Sequence, residues 1–371
     1  MRTVFSILLV LVCVVTGKAG EKVLDKDLEP LKEQVMLTLR HIYNADSASA
    51  SAEISSLKAQ MGDHPVIGVL QALKLRWAYG ASYKKPPAST GTLEMLARVT
   101  EQVEDKDKKL RTDEMKFLAM AAYGLMAEQY YLAEKSYKAA GAAKSMYGYL
   151  KEGFELCDEY PEFLCTTGIY NYFRVTFPER HPLYKPFVWF FRSGDLEQGL
   201  NQLEEASEKA VYSGTESRFY LTHVLLRYES DFARAFPHAK YLHEVFPNNK
   251  VFASLYAEAC VRVNDYEKAS HLGSLISKGN DEELRKLGSL FQGFQAKENG
   301  DLEKAKRLFL FATEMDLSRN KYFEHFQSMA WLELGRLELD EGNDTKAKEY
   351  LKKANKVKRY DVVGKALEEL L

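Results

Sequence analysis

Residues 331–354 read WLELGRLELDEGNDTKAKEYLKKA. Trp331, Leu334 and Gly335 stand on one side of a helical run, and Ala347, Leu351 and Ala354 repeat at helical spacing in a second run. Gly342 punctuates the two. Each position has a physical task. Gly335 lets the first helix lie close to its partner, Gly342 sits in the turn, and Ala347 makes room for Trp331 where the helices cross. The stretch is predicted to be two helices joined by a turn.

The same template recurs upstream. One unit earlier it falls on Gly293, Gly300, Asp301, Ala305, Phe309 and Ala312. Before that come Asn264, Asp265, Ala269 and Ile276, with Ala257 at the first close-packing position. Phe219, Ser230, Asp231, Ala235 and Pro247 form the next copy back, and Gly194, Asp195, Gly199, Leu203 and Ala206 the earliest. The small residue of the second helix thus falls at Gly199, Ala235, Ala269, Ala305 and Ala347, in steps of 36, 34, 36 and 42 residues, the last carrying a longer link around Arg319 to Phe326.

On these residues the chain resembles the tetratricopeptide repeat (TPR) family, whose unit is about 34 residues. The resemblance implies an all-α fold, an α-solenoid of helical hairpins wound as a right-handed superhelix, whose first helices line a concave face for peptides or proteins. Carried onto the best copies, that face holds Leu290, Phe294, Lys297, Leu332 and Arg336. The mixture of apolar and basic groups suits an amphipathic or acidic peptide.

Residues 20–162 are predicted to be less regular helical hairpins. Leu28–Tyr43, Ile54–Met61, Val66–Tyr79, Leu93–Val103 and Glu114–Tyr137 all show helical periodicity. Polar links at Ala45–Ala52, Gly80–Thr92 and Glu104–Thr112 separate them. The repeats proper span 193–360, and residues 361–371 read as a closing helix.

Residues 163–192 break the pattern with Tyr170, Tyr172, Phe173, Phe177, Tyr184, Phe187, Trp189, Phe190 and Phe191, and with prolines at 178, 182 and 186. Three prolines in nine residues predict an inserted loop followed by a short helix. The run Gly168-Ile169-Tyr170-Asn171-Tyr172, with Gly194-Asp195, Gly199, Leu200 and Leu203, is similar to a subset of exported bacterial repeat proteins. It is loosely similar to TPR proteins of the inclusion-body-clearance type. Two readings compete for the aromatics: a plug of core side chains, or a candidate patch at Tyr170, Tyr172 and Trp189 for a glycan or small molecule.

The N-terminus has the layout of a secretory signal peptide, residues 1–19, with Arg2, an apolar run from Val4 to Val15 and the exit Gly17-Lys18-Ala19. The expectation is an exported protein, periplasmic or extracellular, with no transmembrane span and with peripheral membrane contact open to it. Removing Arg2 and Lys18 takes the 51 basic residues to 49 against 53 acidic ones, a balance that does not favour nucleic acid. Three cysteines then remain, Cys157, Cys165 and Cys260. Buried free thiols are the expectation, with a Cys157–Cys165 bridge as the alternative.

No phosphate-binding, dinucleotide, zinc-protease or nucleophile-elbow signature occurs. His238 and His243, the closest histidine pair, point about 140° apart on a helix and suit one metal poorly. His223 replaces a small residue at the close-packing position of its copy, as an adapted core residue would. The reading is therefore a non-enzymatic scaffold or adaptor without cofactor or metal, binding a protein or peptide. The alternatives are a glycan or small-molecule binder and, third, an all-α hydrolase or lyase.

Overall fold

In the computed structural model, residues 29–185, 191–358 and 360–370 are described. The signal-peptide segment and Trp189 lie outside them. Every regular element among the described residues is helical.

One reversal recurs six times among the described residues. Ala45, Glu134, Ser230, Asn264, Gly300 and Gly342 take left-handed φ values of 57°, 58°, 60°, 62°, 78° and 77°, each ending one helix just before the next begins. Five of these turns close alike: the N–H of Asp46, Lys135, Asp265, Asp301 and Asn343 donates to the carbonyl five residues back, at 2.8–2.9 Å. That satisfies a carbonyl the helix end would otherwise orphan. Asp46, Asp231, Asp265 and Asp301 then cap the following helix by accepting a backbone N–H three residues on. At Ser230 the closing bond runs from Asp231 to Leu225, one residue farther, because Leu225–Glu229 forms a π turn.

The chain forms two compact units, described separately. Unit 1 comprises the described residues up to Ala78 together with Pro86–Tyr220. It contains α1 (Lys32–Tyr43), α2 (Ser47–Met61), α3 (Pro65–Gly80, through Ala78), α4 (Thr90–Glu104), α5 (Asp113–Leu132), α6 (Ser136–Leu156), α7 (Glu162–Arg180), α8 (Leu196–Lys209) and the start of α9 (Gly214–Val224). Helices adjacent in sequence pack together, α1 with α2, α5 with α6, and α7 with α8.

Three expectations change here. The link at 45–52 is short, because Asp46 caps α2 and the Ser-Ala run after it is already helical. The run Glu114–Tyr137 is two helices, split at the left-handed Glu134. The aromatic segment is not a loop from 163 onward: α7 runs unbroken through Tyr172 and takes Pro178 into its last turn. There the proline removes one backbone bond close to where the helix stops at Arg180. Gly168 and Gly199 bring α7 and α8 into backbone contact, since a Cβ on Gly199 would lie 2.6 Å from the Tyr172 nitrogen. The extra residues therefore fall after 180, between the paired helices α7 and α8.

Unit 2 comprises Tyr79–Lys85 and Leu221–Leu371. Its helices are α10 (Phe232–Val245), α11 (Lys250–Arg262), α12 (Tyr266–Ile276), α13 (Glu282–Glu298), α14 (Leu302–Ala312), α15 (Phe323–Asp340), α16 (Asp344–Val357) and α17 (Asp361–Glu368). The pairs α11 with α12, α13 with α14, and α15 with α16 are hairpins, and α12 also packs on α13. Two hairpins close on the same contact: a Cβ on Gly293 would meet the Phe309 ring, and one on Gly335 the Leu351 side chain, each at 2.6 Å and each sixteen residues on. Gly335 therefore does face the second helix, and Trp331 lies against Tyr350 of that helix, with ring centroids 5.3 Å apart. In α17, Val362, Val363 and Leu367 are buried.

Candidate functional site

The resemblance placed five residues on one face. Unit 2 gathers four of them, Phe294, Lys297, Leu332 and Arg336, around a cleft of about 290 Å³. Leu290 is fully buried one turn below Phe294 and has no part in the cleft. Helical spacing explains the grouping: Phe294 and Lys297 are three apart on α13, and Leu332 and Arg336 four apart on α15.

Phe232, Arg262 and Tyr266 join them. Phe232 and Tyr266 are the first residues of α10 and α12 and stand one 34-residue step apart, so the repeat period alone could have added them. Tyr266 stacks on Phe294 with centroids 6.1 Å apart and planes 3° from parallel. Arg262 lies over the Phe232 ring at 5.6 Å. The cleft thus has an aromatic floor.

Its charges are unevenly matched. Three cations, Arg262, Lys297 and Arg336, face two carboxylates, Glu298 and Glu333. Glu333 is used on both oxygens, by Lys297 at 2.8 Å and Arg336 at 2.6 Å. Nε and Nη2 of Arg262 have no hydrogen-bond partner.

The reason lies deeper in the unit. The natural partner of Arg262 is Glu258, one turn earlier, but the two are 3.9 Å apart. Glu258 Oε2 accepts from Arg227 Nε at 3.0 Å and Nη2 at 2.8 Å, and Oε1 from His325 Nε2 at 2.6 Å. All three groups are almost completely buried. The Arg227 guanidinium lies 5.1–5.8 Å from the rings of Tyr322, Phe326 and Tyr360 and is presented by the π turn. Burial works against the charge on Glu258, but Arg227 and His325 outweigh it and hold the carboxyl well below its usual range. Burial takes His325 down to about 4, so it is neutral at pH 7 and donates from Nε2. For Arg262, burial lowers the guanidinium from its ordinary value. Two of the three guanidinium nitrogens of Arg262 are thus buried without a hydrogen-bond partner, a costly arrangement for a cation.

The other singled-out residues lie elsewhere. Tyr170 and Tyr172 are fully buried, and the Tyr170 hydroxyl donates to the Arg192 carbonyl at 2.5 Å, so neither offers a face to a glycan. His223 is a core residue against Arg227, 3.2 Å from its Nη1. Cys157, Cys165 and Cys260 are free and buried. Among the described residues no helix is long and apolar enough to cross a membrane, and no group of three or more His, Cys, Asp or Glu side chains could hold a metal ion.

Among known proteins, no family model matches the chain and no curated protein is significantly similar to it.

Proposed function

We propose that the chain is an exported TPR-like adaptor, a solenoid of helical hairpins that binds a peptide segment of a protein partner through the unit 2 cleft. In this reading residues 1–19 are the export signal, and the protein acts by holding its partner without chemical conversion. The observation that carries the proposal is Arg262, whose Nε and Nη2 lack hydrogen-bond partners at a cleft with an aromatic floor and three cations against two carboxylates. The matching ligand is an amphipathic peptide with an acidic side chain or terminal carboxylate beside an apolar residue. The carboxylate meets Arg262 and Arg336, and the apolar side chain lies on Phe294 and Tyr266.

The test is selection of random displayed peptides on the full chain, followed by affinity measurement of the winners. They are expected to share an acidic group next to an apolar one. Arg262→Met is expected to weaken them at least tenfold, the scale of a charge-assisted bond worth about 1.5–3 kcal/mol. It should leave stability nearly unchanged, because two of the three guanidinium nitrogens it removes make no hydrogen bond. Winners without an acidic group, or winners indifferent to Arg262→Met, would overturn the proposal.

A further inference from the structure

Unit 1 contains a separate cavity of about 440 Å³, within the roughly 300–1,000 Å³ of small-molecule sites. Its walls come mainly from α3, α5, α6, α7 and α9 and are largely apolar, Leu73, Met120, Leu125, Met146 and Ile169 among them. On size and lining alone it would accept any compact apolar molecule. Its charges narrow the choice.

Arg76, Glu128 and Glu216 all line the cavity. The Arg76 guanidinium is held between the two carboxylates, Nη1 2.6 Å from Glu216 Oε1 and Nε 3.0 Å from Glu128 Oε2. Trp77 Nε1 also donates to Glu216 Oε1 at 3.1 Å. One cation against two carboxylates leaves a net negative charge at an apolar cavity. The surroundings respond to it: burial first, and Glu216 next, push the Cys165 thiol up from its ordinary value. The same two causes raise the Tyr43 hydroxyl. Phe117, Tyr131, Tyr212 and Tyr220 add aromatic rings to the lining, and the faces of such rings carry partial negative charge.

We propose that this cavity is a binding site for an amphipathic cation, an arylalkyl- or alkylammonium ion whose apolar body fills the cavity and whose ammonium group shares Glu128 and Glu216 with Arg76. A carboxylate on the same body would have to sit against two carboxylates or take Arg76 away from both. A neutral molecule would gain the apolar contacts and leave the surplus charge unmatched. Glu128 is the more accessible of the two carboxylates, at 36% against 15% exposure, and is the group able to turn toward an incoming ammonium.

Three probes with one body separate these cases: 4-phenylbutylamine, 4-phenylbutan-1-ol and 4-phenylbutyrate, titrated calorimetrically into the full chain at pH 7 and low salt. The amine is expected to bind at least tenfold more tightly than either of the others. Glu128→Gln is expected to erase most of that preference. Gly124→Leu places a side chain in the cavity wall, where a Cβ meets only the flexible Met146 sulfur at 3.4 Å. It also improves the propensity of α5, so the variant is expected to fold and to lose binding of all three probes. An alcohol or carboxylate that binds as tightly as the amine overturns the proposal. So does amine binding that survives Gly124→Leu, or the absence of measurable amine binding.

Discussion

Ser230 is unfavourable to the fold in two ways. Its φ of 60° is left-handed, a region that side chains other than glycine occupy at a cost of roughly 1–2 kcal/mol. Its hydroxyl is also buried without a hydrogen-bond partner. Glycine holds the same turn position at Gly300 and Gly342. Ser230→Gly is therefore expected to stabilise the protein by about 1 kcal/mol, once the larger unfolded-state entropy of glycine is set against the relief. An increase in the urea midpoint at constant slope would show it; an unchanged midpoint would mean that the hydroxyl is satisfied. This turn was legible in the sequence, because Ser230-Asp231 occupies the place of Gly300-Asp301 in the period. The buried chemistry beside it was only half legible. His223 was recognisable as a core residue, but nothing in the spacing marked Arg227, Glu258 and His325 as one group, since their helices meet only in the folded unit. That group sets a pH dependence. The folded His325 titrates near 4, below the roughly 6.5 of an unfolded histidine, so between those values the unfolded state binds more protons. Stability is then complete above about pH 7, falls as pH drops through 6.5 toward 4, and loses about 3 kcal/mol to this group. Burial also lowers His181 and His243, which add slope of the same sign. In urea unfolding at pH 4.5 and pH 7, His325→Gln is expected to show a smaller difference between the two conditions than wild type.

At the scale of elements, the longest repeat step has a structural use. The link between α14 and α15 holds residues 79–85 in place within unit 2. Arg319 donates to both oxygens of Asp281 at 2.6 and 2.8 Å and to the Ser82 carbonyl at 2.8 Å. Asn320 Nδ2 donates to the Tyr83 carbonyl at 3.2 Å, and Lys85 Nζ to the Ser318 carbonyl at 3.0 Å. From the other side, the Lys250 N–H donates to the Ala81 carbonyl at 2.8 Å. The sequence showed that the link around Arg319 was long, but Gly80–Thr92 read as a polar spacer. Its Lys, Pro and Ser content is that of a spacer, and the one large anchor, Tyr83, stands in a left-handed conformation that no propensity would suggest. Arg319→Ala is expected to loosen this strap without unfolding the helices. Trypsin should then cut after Lys84, the Lys85–Pro86 bond being resistant, about tenfold faster than in wild type, the consequence of losing about 1–2 kcal/mol from the local closing equilibrium. Arg319→Lys should restore little, because one ammonium cannot replace a planar fork that reaches two acceptors. Cleavage at the wild-type rate in both variants would show that the strap is held by Tyr83 alone.

At the scale of the whole molecule, the repeat period was readable because it rests on local requirements: a left-handed residue, a cap and a small residue, all within one hairpin. The cleft was partly readable for the same reason, since Phe294, Lys297, Leu332 and Arg336 follow from helix faces, while Arg262 becomes notable only once Arg227 and His325 have taken both oxygens of Glu258. The two units, by contrast, could not be read as a cut in the sequence, because unit 2 is built from two separate stretches. A fragment carrying Leu221–Leu371 alone lacks Tyr83, which in the intact chain is 2% exposed, bonded to Ser254 and packed on Phe323 and Phe326. Both phenylalanines are fully buried in the intact chain, so the fragment must expose apolar surface and leave a vacancy the size of a tyrosine. Its stability is expected to fall by at least about 3 kcal/mol relative to unit 2 in the full chain, the scale of emptying an aromatic site. A synthetic peptide of residues 79–85 should then raise its melting temperature in a saturable way. The same peptide with Tyr83→Ala should not, because the backbone bonds to Lys250, Arg319 and Asn320 remain while the buried ring is gone. Equal rescue by both peptides would mean that the backbone bonds, rather than the ring, hold the strap in unit 2.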